Sequence, residues 1–531
     1  MTRQQTTPTQ LFVLYSLAAL PRVIGALWLP NAFGDAYAYT EQVYYMRRAL
    51  IAGTFTTANL FGFWLPLYQF VCAIVSVFVG SPFYVPKLIS AVSGAGVCLM
   101  VFLLTRELTA NRFLSLVTFA TVAVNPYHIF YSASAMTDVP HAFFILLCAY
   151  CCIRDHWPLA ALFGLAAGLM RIESWTLLAI IPALQVMRTR KLSVFTCVIL
   201  LLGPALWLYV SWEAGGSPWR YFEIRNNYIV ETLTANPWLG MFAPWRVGLD
   251  LVRLIYTANP LIMFACFGGL LVAIRRFKAD SFVEWFWTTC RRTVALSKST
   301  LQQLPTLRVN PQFIILIFYF SHLFFLLLAY FTRNQAEIWP RYGLIFFSLG
   351  LPILAGHVLR HNQGQVQSKE FRFQHTKWRM AYLASTVFAL QFCIQLIDVT
   401  RITVKSDPNR IAAEFLEDEH LADGSMKIYC EDGAIRVLSG IPLEEFKDQY
   451  NSPADTESFF RSLRENQIRL LVYKDLPGSR LGEIIRQIKS GKLNSRRSGI
   501  TLEEVTAKPR QKPSDSIVLY RVHTNEVASK R

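Results

Sequence analysis

Residues Gly34 to Tyr68 read GDAYAYTEQVYYMRRALIAGTFTTANLFGFWLPLY, and they follow directly on the first long apolar segment, Leu11 to Leu29. The acidic residue Asp35 therefore falls just beyond the end of a membrane helix, where a carboxylate stays hydrated and still faces lipid. Such a position suits chemistry on a lipid-borne substrate, and the rest of the chain is read outward from it.

Composition sets the class. Hydrophobic residues make up 53% and charged residues only 16% of 531, against about a quarter charged in soluble domains. This is a polytopic membrane protein. A net charge of +17 would suggest nucleic acid in a soluble chain, but here Lys and Arg cluster between apolar segments, as in cytoplasmic loops, so no nucleic-acid partner is expected. The cysteines lie mostly inside apolar runs (Cys72, Cys98, Cys148, Cys151, Cys152, Cys197, Cys266, Cys393) and read as small core residues. Leu11 to Leu29 is too long for a signal-peptide core and lacks a small-x-small cleavage site, so it reads as a retained anchor. No Asn-x-Ser/Thr sequon occurs, which favours a prokaryotic plasma (inner) membrane over the secretory pathway.

At roughly 20 apolar residues per crossing, spans fall near Leu11 to Leu29, Phe83 to Thr105, Phe113 to Phe130, Val139 to Ile153, Trp157 to Met170, Trp175 to Met187, Val194 to Ser211, Asn259 to Ile274, Phe313 to Phe331, Tyr342 to Leu359 and Ala381 to Ile397. That is about eleven. Arg106 with Arg112, Arg154, Arg188 to Lys191, Arg275 to Arg308 and Arg360 to Arg379 occupy every second connection, which makes those loops cytoplasmic. The run Phe63 to Gly80 leaves a choice. With the N-terminus inside it lies along the interface, anchored by Trp64 and Tyr68; with the N-terminus outside it spans, and Asp35 moves to the cytoplasm.

Within the loop from Phe277 to Pro311, Phe282, Trp285 and Phe286 share one helical face ahead of Arg291 and Arg292, the pattern of an interfacial amphipathic helix. After Ile397 the composition turns soluble, so the boundary is set at 399/400. Strands are expected at Lys427 to Cys430, Ile435 to Leu438, Arg469 to Tyr473 and Ile517 to Val522, and helices at Pro408 to His420, Thr456 to Asn466 and Ser479 to Ser490. The stripe Leu481, Ile484, Ile485, Ile488 should pack on a sheet. The result is a small α/β domain on the outer face, a structural or acceptor-recognition module.

Charges in or at the ends of spans are costly unless paired or used, and they form the list of candidates. Arg22 could neutralise a lipid phosphate or pair inside the bundle. Lys87 could do the same or snorkel. Asp138, in YSASAMTDVPHAFF, reads as a second acidic group, a metal ligand or a helix N-cap. Arg171 and Glu173, in GLMRIESW, interrupt two apolar helices and could simply pair with each other. Arg341, in WPRYGL, offers a forked guanidinium suited to phosphate. His128 and His141 flank Asp138, so a divalent cation stays open as a cofactor, but a metal site needs more ligands than spacing can show.

The order of these features carries a resemblance. An apolar first span, a GD-x-x-Y loop, L-P-L-Y, a second span closing on R-E-L, N-P-Y-H-I-F-Y-S-x-S-x-M-x-D-x-P, R-I-E-S and a late P-R-Y over Leu11 to Leu359 resemble the GT-C superfamily of membrane glycosyltransferases. Within it the chain resembles family 39, the protein O-mannosyltransferases and lipid A aminoarabinose transferases. The resemblance implies an inside N-terminus, an outer first loop carrying a catalytic acid, and Leu65 to Gly80 lying along the membrane. It also implies a polyprenyl-phosphate sugar donor and a lipid, glycan or protein acceptor. Two departures stand out. Ala36 occupies the position of a Glu in members with an Asp-Glu pair, and Trp64 to Tyr68 replaces a Pro-Pro-Leu-Tyr often preceded by Lys.

The implied chemistry makes Asp35 the base that takes the acceptor proton as the glycosidic bond forms, with Asp138 as its acidic companion. The donor phosphate falls to Arg22, Lys87, Arg171 or Arg341, with Glu173, Tyr342 and Tyr68 around it. In-line attack would invert the anomeric centre. The competing class is a transporter or flippase of a lipid-linked or anionic substrate, which internal repeats or paired broken helices would favour; no convincing repeat links the two halves.

Overall fold

The first helix begins at a capping box. Thr7 Oγ1 accepts the Gln10 N–H at 3.3 Å, the Gln10 side chain accepts the Thr7 N–H at 3.4 Å, and Pro8 takes the first helical position, which satisfies the end of α1 (Pro8–Trp28). The computed structural model describes residues 6–235, 244–276, 310–332, 338–364, 371–423, 426–448, 455–474, 480–489, 500–505 and 517–524. After α1 come α2 (Gly34–Ile51), α3 (Leu67–Val79), α4 (Val85–Thr109), α5 (Arg112–Val124), α6 (Pro126–Ser132), α7 (Asp138–Ile153), α8 (Trp157–Gly168), α9 (Leu177–Thr189) and α10 (Val194–Gly215). They are followed by α11 (Arg220–Ala235), α12 (Pro244–Ala258), α13 (Pro260–Arg276), α14 (Pro311–Phe331), α15 (Gly343–Gly364) and α16 (Phe371–Asp423). The expected amphipathic segment at 282–292 lies outside the described residues.

Among the described residues six helices are long and apolar enough to cross a membrane, and eight if each of two bent pairs is one span. The other three expected spans are α7, α8 and α9, helices of 16, 12 and 13 residues. The chain is thus a mostly helical, multi-pass membrane protein. It divides into two compact units, Met1–Leu29 with Tyr45–Val399, and Pro30–Tyr44 with Thr400–Arg531.

In the first unit both bends fall on Asn-Pro. The α5/α6 pair turns by 61° at Asn125-Pro126 and the α12/α13 pair by 89° at Asn259-Pro260. Proline removes a backbone donor, and Asn caps the helix that follows: Asn125 Oδ1 accepts the His128 N–H at 2.8 Å, and Asn259 Oδ1 accepts the Leu261 N–H at 3.0 Å. Each Asn then donates to a glutamine, the two glutamines lying one turn apart on α16. Asn125 Nδ2 reaches Gln395 Oε1 at 2.8 Å and Asn259 Nδ2 reaches Gln391 Oε1 at 2.6 Å, while Gln391 Nε2 donates to the freed Tyr256 carbonyl at 2.9 Å. An unsatisfied backbone group at membrane depth costs several kcal/mol; Gln391 covers the freed carbonyl at the second bend, and Arg22 Nη2 covers the Val122 carbonyl at the first, at 3.1 Å.

Helix α4 is among the most buried of the long spans, and its small residues let neighbours approach closely. A Cβ on Gly94 would overlap the Ser132 hydroxyl, and one on Gly96 would lie 2.5 Å from the Phe143 ring. Ser90 Oγ donates to the Met136 carbonyl at 3.0 Å. The turn between α6 and α7 is thereby pressed onto α4, which sets where Asp138 starts α7. Helix α3 has 13 residues, or about 20 Å of helix against a hydrocarbon core of about 30 Å. The Leu67 N–H donates to the Leu169 carbonyl at 3.1 Å, tying the start of α3 to the end of α8.

The second unit corrects two expectations. The stretch after Asp35 is helical rather than a loop, since Ala36, Ala38, Glu41, Gln42 and Met46 are good helix formers and Asp35 sits in the first turn, where a carboxylate suits the helix dipole. Ile435 to Leu438 is part of a helix, α17 (Gly433–Leu438), because Asp432 Oδ1 caps it by accepting the Ala434 and Ile435 N–H groups at 2.8 and 3.2 Å. The remaining elements are β1 (Lys427–Cys430), β2 (Phe446–Lys447), α18 (Thr456–Glu465), β3 (Ile468–Lys474), α19 (Arg480–Lys489), β4 (Ile500–Glu504) and β5 (Ile517–Thr524).

The strands form one sheet in the order β2-β1-β3-β5-β4. β1 is parallel to β2 and β3, with Ile428 opposite Phe446 and Leu470, and β5 is antiparallel to β3 and β4. Alternation in β3 sorts the faces. Leu470 and Val472 pack with Ala412 and Leu416 of α16 and with Ile435 of α17. Leu471 and Tyr473 pack with Phe459 and Leu463 of α18 and with Leu481, Ile484 and Ile485 of α19. α2 is fixed to this unit by Glu41, 2.9 Å from Arg436, which also pairs with Asp448, and by Tyr44 OH donating to Glu444 at 2.8 Å. Burial lifts the Glu41 carboxyl above its ordinary value despite the opposing pull of Arg436.

Candidate functional site

Three breaks in the helices of the first unit converge on one cavity. Asp138 opens α7, Arg171 and Glu173 come from the turn between α8 and α9, and Arg341 and Tyr342 come from a 3₁₀ turn, Pro340–Tyr342, that leads into α15. Together with His141, His322, Leu326, Ile345 and Phe346 they line a cavity of about 30 Å³. Arg171 is the hub. It donates to Asp138 Oδ1 at 2.6 Å and, as a fork, to Glu173 Oε1 at 2.8 Å and Oε2 at 3.4 Å. Its guanidinium lies 5.0 Å from the centre of the Tyr342 ring, and that of Arg341 lies 5.3 Å from the same ring, within cation–π range.

Burial alone would raise the Glu173 carboxyl, but the Arg171 guanidinium outweighs it and holds Glu173 well below the usual carboxylate range. For Arg171 burial opposes the charge, and Glu173 with Asp138 more than compensate, so its pKa is raised. Arg225 of α11 feels the same cluster. Burial again opposes its charge, while Tyr221, which accepts from Nη1 at 3.1 Å, and Glu173 raise its pKa. Among the described residues the cavity lining carries two guanidinia and two carboxylates, and Arg225 beside Glu173 adds a third cation, a setting that favours an anion.

Two histidines complete the wall. His141 Nε2 is 2.6 Å from Ser174 Oγ, and its ring centre is 5.9 Å from that of His322. His322 Nδ1 is 2.8 Å from the Phe318 carbonyl, which places the proton on Nδ1. Its buried Nε2 finds no hydrogen-bond partner among the described residues. His322 and Arg225 were not among the expected residues. The signal for His322 was readable, a polar residue in the apolar run FYFSHLFF; Arg225 lies in a mixed segment and carries no such mark.

The other expected residues sit elsewhere. Arg22 is fully buried. Its guanidinium donates to the carbonyls of Ala18 at 2.7 Å, Val122 at 3.1 Å and Ala123 at 3.3 Å and lies 2.9 Å from His128 Nδ1, so it ties α1 to the α5/α6 bend rather than lining the cavity. Lys87 Nζ donates to the Leu29 carbonyl at 2.6 Å, a cation at the carboxyl end of α1, where the helix dipole favours it. Tyr68 is fully buried, with its hydroxyl 2.7 Å from the Pro86 carbonyl and 2.9 Å from Ser90 Oγ; it joins α3 to α4. Asp35 belongs to the second unit, half-buried in the first turn of α2. Among the described residues no three His, Cys, Asp or Glu side chains gather as a metal site would require.

No protein-family model matches the sequence, and no curated protein does. Solved structures do. The fold is that of a polytopic helical membrane protein carrying a C-terminal α/β sheet region, and a known example is ArnT from Cupriavidus metallidurans. The crystal structure of that protein bound to undecaprenyl phosphate is similar with a TM-score of 0.55 and 13% identity, over 97% of this chain and 98% of that one. The apo structure gives 0.52 and 13%, over 96% and 97%. At this identity the likeness establishes the fold.

Proposed function

We propose that this protein is an integral-membrane glycosyltransferase that moves a sugar from a polyprenyl-phosphate donor to an acceptor hydroxyl on the extracytoplasmic side. The observation that carries the reading is the cavity where Arg171, Arg341 and Tyr342 meet, in a fold shared with a protein solved with undecaprenyl phosphate bound. Arg171 is held by Asp138 and Glu173, which fix its fork. Arg341 then supplies charge to the donor phosphate, and Tyr342 orients both guanidinia.

The reaction forms one bond from the acceptor oxygen to the anomeric carbon and breaks the bond from that carbon to the phosphate oxygen. The phosphate leaves as an anion stabilised by arginine, and the acceptor proton passes to Asp35. A carboxylate is a weak base toward an alcohol, so proton transfer follows bond formation, when the hydroxyl has become acidic. In-line displacement inverts the anomeric centre.

A transporter would place the half-helix ends of its broken spans against a substrate. Here Asn125 and Asn259 at those ends are tied to Gln395 and Gln391, which favours the enzyme. The test is radiolabelled transfer in membranes supplied with polyprenyl-phosphate sugars. Wild type should transfer label and Asp35→Asn should lose at least about a hundredfold in rate, the low end of general-base contributions. Full activity in Asp35→Asn rejects its role as the base, and no transfer by wild type from any donor rejects the reading.

A further inference from the structure

We propose that the crevice at the carboxyl ends of β1 and β3 binds the neutral, polyhydroxylated part of a glycan acceptor. The idea rests on the transferase reading and names the class of its second substrate. The topology creates the crevice. After β1 the chain turns into α17 on one face of the sheet, and the helix that follows β3, α19, packs on the opposite face. Where neighbouring parallel strands send their connections to opposite faces, a gap opens at their carboxyl ends, and open α/β sheets bind ligands there. In this protein the gap holds about 380 Å³, and every residue lining it belongs to the second unit. That volume is within the range of small-molecule sites, about 300–1,000 Å³.

The lining is organised. Lys474, at the end of β3, donates to Asn409 Oδ1 at 2.8 Å and to Asp432 Oδ2 at 2.5 Å, while the other oxygen of Asp432 caps α17. The Asn409 carbonyl is thereby occupied, and its amide N–H groups and the third ammonium proton of Lys474 become the donors on offer. Lys405 adds to them from α16, and Ser406, whose hydroxyl donates to the Thr403 carbonyl at 2.7 Å, offers acceptor lone pairs. Lys405 and Lys474 balance Glu431 and Asp432, so the crevice has no net charge among these groups. Interleaved donors and acceptors without net charge suit sugar hydroxyls better than a phosphate or a carboxylate. Phe33 and Ile402 supply apolar wall for a sugar ring. Gly34 and Tyr37 also line the crevice and flank Asp35 in the first turn of α2, which brings the proposed base to the edge of the acceptor site.

The experiment uses the purified full chain in detergent on a glycan array carrying neutral and phosphorylated oligosaccharides, followed by titration of the best neutral binder. Wild type should bind neutral glycans. Ser406→Trp, which fills the crevice and leaves the Lys474–Asp432 pair intact, and Lys474→Met should each weaken binding about tenfold or more. Asp35→Asn should bind as wild type does while losing transfer, so failure of the catalytic reading and failure of the binding site appear in different measurements. No neutral glycan bound, binding confined to phosphorylated glycans, or binding unchanged in Ser406→Trp would overturn the proposal.

Discussion

Replacing Arg171 with methionine removes the partner of two carboxylates at once. The side chains of Asp138 and Glu173 are only 6% and 16% exposed, and the three hydrogen bonds they accept from Arg171 run from 2.6 to 3.4 Å. Breaking a buried ion pair by deleting one partner costs about 3–5 kcal/mol, because the remaining charge stays desolvated. With two carboxylates stranded, Arg171→Met should sit toward the upper end. At about 2–4 °C per kcal/mol for a large domain, the melting temperature should fall by about 6–20 °C. The assay is fluorescence-detected size exclusion of detergent-solubilised protein after heating. The triple variant Arg171→Met, Asp138→Asn, Glu173→Gln has no stranded charge and should recover at least half of the loss, while Arg171→Lys, which keeps the charge without the fork, should fall between. A triple variant no more stable than the single one would refute the picture of one buried cluster held by Arg171.

Other outcomes follow from the same geometry. Tyr68→Phe should lower stability by about 1 kcal/mol, the worth of one buried hydrogen bond, and leave affinity for undecaprenyl phosphate unchanged; a selective loss of affinity would return Tyr68 to the substrate site. Asn259→Ala removes a helix cap and strands the Gln391 carbonyl, together costing about 2–4 kcal/mol, while Gln395→Leu should act through the other bend, as thermal melts of both variants can check. Glu41 has a raised pKa in the folded unit, so its stabilising contribution is fully present below the ordinary carboxylate value and is lost as pH rises through the raised one. Glu41→Gln should therefore gain on wild type as pH increases across that window, and melts at stepped pH showing the reverse trend would contradict the sign.

Much of the bundle was legible because long apolar runs admit few alternatives. Every expected span is helical, and Arg171, Glu173, Asp138, Arg341 and Tyr342 meet in one cavity because each marks a charge or break at the end of a span. Arg22, Lys87 and Tyr68 carried the same kind of mark, yet their partners are backbone carbonyls, which a sequence does not display. The seam from Asn125 and Asn259 to α16 was equally hidden, since it joins residues more than a hundred positions apart. Asp35 illustrates the other limit. Its helix was missed because Tyr37, Tyr39 and Tyr44, weak helix formers, are interleaved with the good ones, Ala36, Ala38, Glu41 and Gln42, that carry it. The strand expected at Ile435 failed to a local cap, Asp432-Gly433, that outweighs β-branched neighbours.

The most direct measurement is the affinity of the purified protein for undecaprenyl phosphate, by titration in nanodiscs or native mass spectrometry, for wild type and Arg341→Ala. Wild type should bind, and Arg341→Ala should bind about ten- to a hundredfold more weakly, as expected for loss of a charged hydrogen bond to phosphate. Equal affinity in the two proteins, or no binding by either, would contradict the assignment of this cavity to the donor phosphate.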